Sequence, residues 1–165
     1  MKKLVLLFGL LSLVPCAARA QRVELFGGYS YLRLDTGAGT VHLDGWDASG
    51  TIKTNSWIGL TGDFSGAYGS PFGPSTSLHT YLFGPQLSLP SPIFSPFFHA
   101  LVGGATTKTG NSSDTAFATA LGGGLDTKIA PLLSFRIVQV DYLATRFGGN
   151  TQNNLRVSTG IVIRF

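Results

Sequence analysis

The 165-residue chain is 44% hydrophobic with a mean hydropathy of +0.25, yet only 12% of it is charged. That is about half the charge share of an average soluble protein. A formal net charge of +4 with no block of Lys or Arg anywhere excludes an electrostatic nucleic-acid binder.

The first twenty residues read as an export signal. Met1-Lys2-Lys3 is a charged start, Leu4 to Val14 is an apolar run, and Ala18-Arg19-Ala20 is a small-x-small cleavage site before Gln21. The run is too short to span a bilayer as a helix. Cys16 raises a lipoprotein alternative, which Pro15 directly before it fits poorly. Loss of Lys2, Lys3 and Arg19 leaves 9 basic against 8 acidic residues, so the high pI says little about partners. The lone Cys leaves as well, and residues 21–165 must be held by something other than a disulfide. No later apolar run reaches the roughly 20 residues of a membrane helix. Membrane-spanning strands accommodate such a composition, because each shows only alternate residues to lipid.

Residues 22–34 alternate imperfectly: Val23, Leu25, Tyr29 and Tyr31 share one face, while Phe26, Leu32 and Leu34 take the other. In 42–53, Trp46, Ala48, Gly50 and Ile52 oppose Asp47, Ser49, Thr51 and Lys53. In 57–66, Ile58, Leu60 and Phe64 oppose Thr61, Asp63 and Ser65. In 79–89, Tyr81, Phe83, Leu87 and Leu89 oppose Thr80, Gln86 and Ser88. Residues 96–107 are apolar on both faces, with His99 the clear inward candidate. In 115–128, Phe117, Leu121 and Leu125 oppose Ala118, Gly122, Gly124, Asp126 and Lys128. The segment 133–145 changes parity, since Arg136 and Asp141 cannot share a face of a regular strand. A bulge, or Arg136 reaching out to the interface, would reconcile them. The last segment is the cleanest: Leu155, Val157, Thr159, Ile161, Ile163 and Phe165 against Arg156, Ser158, Gly160, Val162 and Arg164.

Eight such segments predict an all-β, eight-stranded antiparallel up-and-down transmembrane barrel, preceded by a signal-peptide helix. Longer connections at 35–41, 68–77, 108–114 and 146–153 are expected outside the cell. Shorter ones at 54–56, 90–95 and 129–132 are expected in the periplasm. Aromatic residues then sort to two levels. Trp57, Phe94, Phe97, Phe98, Phe135 and Phe165 lie at the periplasmic ends. Tyr29, Tyr31, Trp46, Phe64, Tyr68, Tyr81, Phe83, Phe117, Tyr142 and Phe147 lie toward the outer ends.

The blocks GWDASGTIKTNSWIGLTGDFSGAYG (45–69), HTYLFGPQ (79–86), PFFHALVGG (96–104), ALGGGLDTKI (120–129), VDYLATRF (140–147) and the final IVIRF resemble the outer-membrane protein β-barrel domain family. That family is similar in fold to the transmembrane domain of OmpA-type porins. The resemblance covers residues 21–165 and implies an architecture rather than an activity. It also implies that Ile161, Ile163 and Phe165 form a signal read by the barrel-assembly machinery. The chain departs from full-length OmpA-type proteins in ending at Phe165 without a peptidoglycan-binding domain, so no cell-wall tether is expected.

The inward charges Lys53, Asp63, Asp126, Lys128, Arg156 and Arg164, with Asp47, Asp141 and Glu24 nearby, are expected to form a structural network. Buried charges must be paired or hydrated, and eight strands enclose a lumen that side chains can fill. The leading reading is a monomeric outer-membrane protein with a largely plugged lumen and a structural or surface-interaction role. Its partners are membrane lipid and ligands met through the outer connections. A narrow pore for ions or small solutes is the first alternative. A rim-sited enzyme hydrolysing lipids or peptides is the second, using His42 or His79 beside Asp44 and Ser77. A soluble lipocalin-like barrel is the structural rival; it would place the apolar face inside. No catalytic residue, cofactor or metal site is assigned: His42, His79 and His99 lack ligand spacing, and Gly122-Gly123-Gly124 lies inside a strand pattern.

Overall fold

The computed structural model describes residues 22–35, 39–70, 75–147 and 150–165. The expected signal segment, residues 1–20, lies outside them. The described chain forms eight strands: β1 (Arg22–Asp35), β2 (Thr40–Lys53), β3 (Ile58–Gly69), β4 (Thr76–Ser88), β5 (Phe94–Thr109), β6 (Ser112–Ala130), β7 (Leu133–Phe147) and β8 (Asn150–Arg164). Each pairs antiparallel with the next, and β8 pairs with β1, closing the barrel. Closure removes every exposed sheet edge, which a strand structure in lipid requires.

The register fixes the tilt. From Arg22, successive partners are Lys53, Gly59, Gln86, His99, Gly122, Asp141 and Arg156, and the last returns to β1 at Leu32, ten residues further on. Such a stagger is what inclines the strands and sets the width of the barrel. One mouth carries Arg22 and Phe165 and is called the terminal mouth below; the other is the far mouth.

The parity break in 133–145 is a bulge. Leu125 pairs with Val138 but Asp126 pairs with Arg136, and on the other side Arg136 faces Gly160 while Gln139 faces Ser158. Ile137 is the extra residue, and Ile137 and Val138 both point outward. The skipped position lets Arg136 and Asp141 both enter the lumen. Thr159 Oγ1 donates to the Arg136 carbonyl at 2.9 Å and ties the bulge to β8.

The expected contrast in connection length is not found. Residues 110–111 alone join β5 to β6 and 148–149 join β7 to β8, because the strands run on through most of 108–114 and 146–153. The other gaps between strands on that side are 36–39 and 70–75 in sequence, against 54–57, 89–93 and 131–132 at the terminal mouth. Strands of 12 to 19 residues exceed the roughly 9–11 needed to cross a membrane. The far end of the barrel is therefore strand where loops were expected.

Candidate functional site

The outer surface divides at a ring of aromatic side chains. Tyr29, Trp46, Phe64, Tyr81, Phe83 and Tyr142 are all exposed on the outside. Toward the terminal mouth the outward positions are Leu25, Ile52, Leu60, Leu87, Phe98, Ile161 and Ile163, a continuous apolar band. Trp57, Ile93, Phe94, Leu132 and Phe165 border it at the terminal mouth. Phe97 is the exception to the expected lower ring: only 2% exposed, it points into the lumen.

Beyond the aromatic ring, in the part of the barrel toward the far mouth that is called the collar below, the pattern inverts. The outward residues become Arg33, His42, Asp44, Lys108, Arg146 and Asn153, while Leu32, Val41, Leu43, Leu78, Ala105, Ala118 and Leu143 are buried inside. This follows from the solvent on each side. In lipid the greasy face must look out, and in water it must look in. The imperfect alternation of 22–34 has this origin at Leu32, which faces in above the band while Leu25 and Tyr29 face out; Phe26 instead faces in at membrane level, against Arg136. The doubly apolar face of β5 has the same cause, with Leu101 and Ala105 inside the collar and Phe98 and Val102 outside.

Polar rungs dress the outside of this transition. Tyr29 hydroxyl bonds Asp44, and Tyr31 hydroxyl bonds His42 Nδ1. Trp46 Nε1 donates to Tyr68 Oη at 3.4 Å, and Tyr68 Oη meets His79 Nε2 at 3.1 Å. His42 and His79 are thus each engaged by a tyrosine. No serine or threonine hydroxyl bonds either ring among the described residues, and Ser77 and Asp44 complete no nucleophile–base pair.

Within the membrane-level lumen, charge runs as one connected chain. Glu24 accepts from Lys53 at 2.7 Å and from Arg164 Nε at 2.8 Å. Arg164 also reaches Asp126 at 2.8 Å, and Asp126 accepts from Arg136 Nε at 2.9 Å. The Arg136 guanidinium lies between the rings of Phe26 and Phe97, 4.2 and 4.1 Å from their centroids, and donates to Gln139 Oε1 at 2.5 Å. Gln139 Nε2 donates to Asp141 Oδ2 at 2.7 Å. Arg156 then bonds Asp141 at 2.7 and 2.9 Å and Asp63 at 2.8 and 3.1 Å, with Asp47 at 3.8 Å. His99 Nε2 lies 2.7 Å from Asp141 Oδ1, and Ser158 donates to Asp47 Oδ2 at 2.7 Å. Two glycines make the room: a Cβ on Gly122 would lie 2.1 Å from Asp141 Oδ1, and one on Gly124 would lie 2.8 Å from the Phe97 ring.

Of the six charges singled out in the sequence, Lys53, Asp63, Asp126, Arg156 and Arg164 sit on this chain. Lys128 does not: the irregular end of β6 leaves it exposed at the terminal mouth, paired with no carboxylate among the described residues. Glu24, Asp47 and Asp141, noted beside the set, belong to it. Arg136, Gln139 and His99 complete it: His99 is the inward residue expected of β5, Arg136 enters through the bulge, and Gln139 alone was not singled out. The network and the collar core leave open space at the two ends, a 270 Å³ cavity at the far mouth and a 400 Å³ cavity at the terminal mouth.

No family model matches the sequence, and no curated protein does. Solved structures do. Ail, the attachment invasion locus protein of Yersinia pestis, superposes with a TM-score of 0.61 at 16% identity, over 89% of this chain and 100% of its own. Neisserial surface protein A gives 0.69 at 10% identity, over 87% and 97%. The outer membrane protein OprG of Pseudomonas aeruginosa gives 0.63 at 11% identity, over 89% and 97%. The chain has the fold of an eight-stranded outer-membrane β-barrel. The apolar band and aromatic ring agree with that architecture, and the lipocalin-like arrangement is excluded at membrane level, where Ile161, Ile163 and Phe165 are exposed and Arg156 is buried.

Proposed function

We propose that this barrel acts through its surfaces and does not conduct, residing in the outer membrane as a plugged monomer. The reading rests on one observation above all: Arg156, 1% exposed, is tied to carboxylates on opposite walls, with the apolar collar core stacked beyond it. A solute crossing would have to break several charge-assisted bonds in a low-dielectric interior and then wet a leucine-lined constriction. The surface-interaction role is supported by the collar, which carries polar and aromatic groups on fixed strands into the water. It is supported too by the likeness to Ail, one of whose solved structures is a complex with the heparin analogue sucrose octasulfate.

Residues 1–20 serve in this reading as a cleavable signal and residues 21–165 as the barrel. Ile161, Ile163 and Phe165, an exposed apolar stripe at the end of β8, form the assembly signal. The enzyme alternative is not favoured, since His42 and His79 each meet a tyrosine hydroxyl and, among the described residues, no serine or threonine hydroxyl. Planar-bilayer recording of the refolded chain tests the main claim. Silence at all voltages is expected, and a steady open channel would overturn it.

A further inference from the structure

We infer that the terminal mouth is a binding site for a phosphate group. Its 400 Å³ cavity is lined from nearly every side of the barrel: Arg22 and Glu24 of β1, Lys53 of β2, Lys128 of β6, Ser134 of β7 and Arg164 of β8, with Ser91 and Ser95 at the rim. Four cations thus converge on one space whose lining supplies one acidic side chain, Glu24, with Phe165 of the chain end beside it. Glu24 is already shared between Lys53 at 2.7 Å and Arg164 at 2.8 Å. Asp126, beneath them, is divided between Arg164 and Arg136. Arg22 and Lys128 are exposed and pair with no carboxylate among the described residues. Neither is needed to hold the network together.

The excess of positive charge has no structural use, since a plug needs balance. The middle of the lumen is richer in carboxylates, with Asp47, Asp63 and Asp141 around Arg156 and His99 on Asp141. The lumen is therefore polarised along its axis, and a concave, low-dielectric cup concentrates such a field. An anion is drawn into the vestibule and stopped at Arg136. Guanidinium forks and ammonium groups beside serine hydroxyls suit the tetrahedral oxygens of phosphate. The space exceeds one phosphate, so a diphosphate or a phosphorylated head fits. Two sources share that chemistry: a soluble phosphorylated solute, and the headgroup of a phospholipid in the adjoining leaflet.

The full chain, folded in an alkyl glucoside free of phosphate, is titrated with pyrophosphate while backbone amide shifts of Ser91, Ser95 and Lys128 are followed. A second arm adds short-chain phosphatidylglycerol to the micelles, with the same lipid lacking its phosphate as control. Saturable shifts confined to the terminal mouth are expected, weakened by salt. In R22Q/K128Q the affinity should fall by roughly tenfold or more with heat-modifiable gel migration unchanged. Response to pyrophosphate assigns the site to soluble phosphates; response to the lipid alone assigns it to headgroups. Saturation in neither arm, or binding indifferent to R22Q/K128Q, overturns the inference.

Discussion

Arg156 on β8 reaches across the lumen to Asp63 on β3, with Nη1 and Nη2 at 2.8 and 3.1 Å from its two carboxylate oxygens. Two strands, β1 and β2, stand between these walls in the ring, so the pair is a strut across the barrel. The same guanidinium holds Asp141 on β7.

Removing the cation is predicted to cost more than removing one anion. Arg156→Ala strands three buried carboxylates and should destabilise the barrel by about 3–5 kcal/mol. Asp63→Asn should cost less, because Arg156 keeps Asp141. Urea unfolding in micelles gives the order, and equal losses would contradict the strut.

Arg136 makes a different kind of contact. Its plane is clasped by Phe26 and Phe97 while its edge serves Asp126 and Gln139. Arg136→Lys keeps the charge but loses the flat face and the fork, at an expected cost of about 1–3 kcal/mol. A lysine variant as stable as the parent would show that charge alone matters there.

The apolar band provides a test of lipid contact. Leu60 is 59% exposed and lies between the two aromatic levels. Leu60→Arg would be harmless on a water-facing surface, but near the bilayer midplane it should cost about 2–4 kcal/mol. Denaturant titration in phospholipid vesicles measures the difference, and a neutral result would remove the band from the membrane.

Two barriers in series give a conductance prediction. Leu43→Ala with Leu101→Ala and Leu143→Ala thins the collar core but leaves the charged network; Arg156→Ala loosens the network but leaves the collar. Each set should remain silent in a planar bilayer, and only their combination should pass current. Conduction by the collar variant alone would mean that the network does not seal.

The strands were legible because period-two alternation survives wherever one side meets lipid, as in 155–165. Alternation also flagged the trouble at Arg136, yet could not choose its remedy. The choice lay in Asp126, Phe26 and Phe97, partners from three other strands that meet Arg136 only after closure. Lys128 looked like an inward residue by parity, but parity does not reveal where the regular end of a strand lies. Strand ends such as 40–41, 108–109 and 112–114 were read as loops, and the collar core went unrecognised because every segment was judged by one rule, polar inside, along its whole length. Val41, Leu43 and Leu32 follow the opposite rule once the backbone leaves the bilayer.

Gly110, with φ of +58°, turns β5 into β6 in two residues, so that hairpin carries ordered backbone to its tip. A molecule that docks against Thr106 to Asp114 meets a surface already in its bound shape and sacrifices little conformational entropy on contact. Recognition there would be governed by fit to a stiff edge, with quick association and limited tolerance for differently shaped ligands.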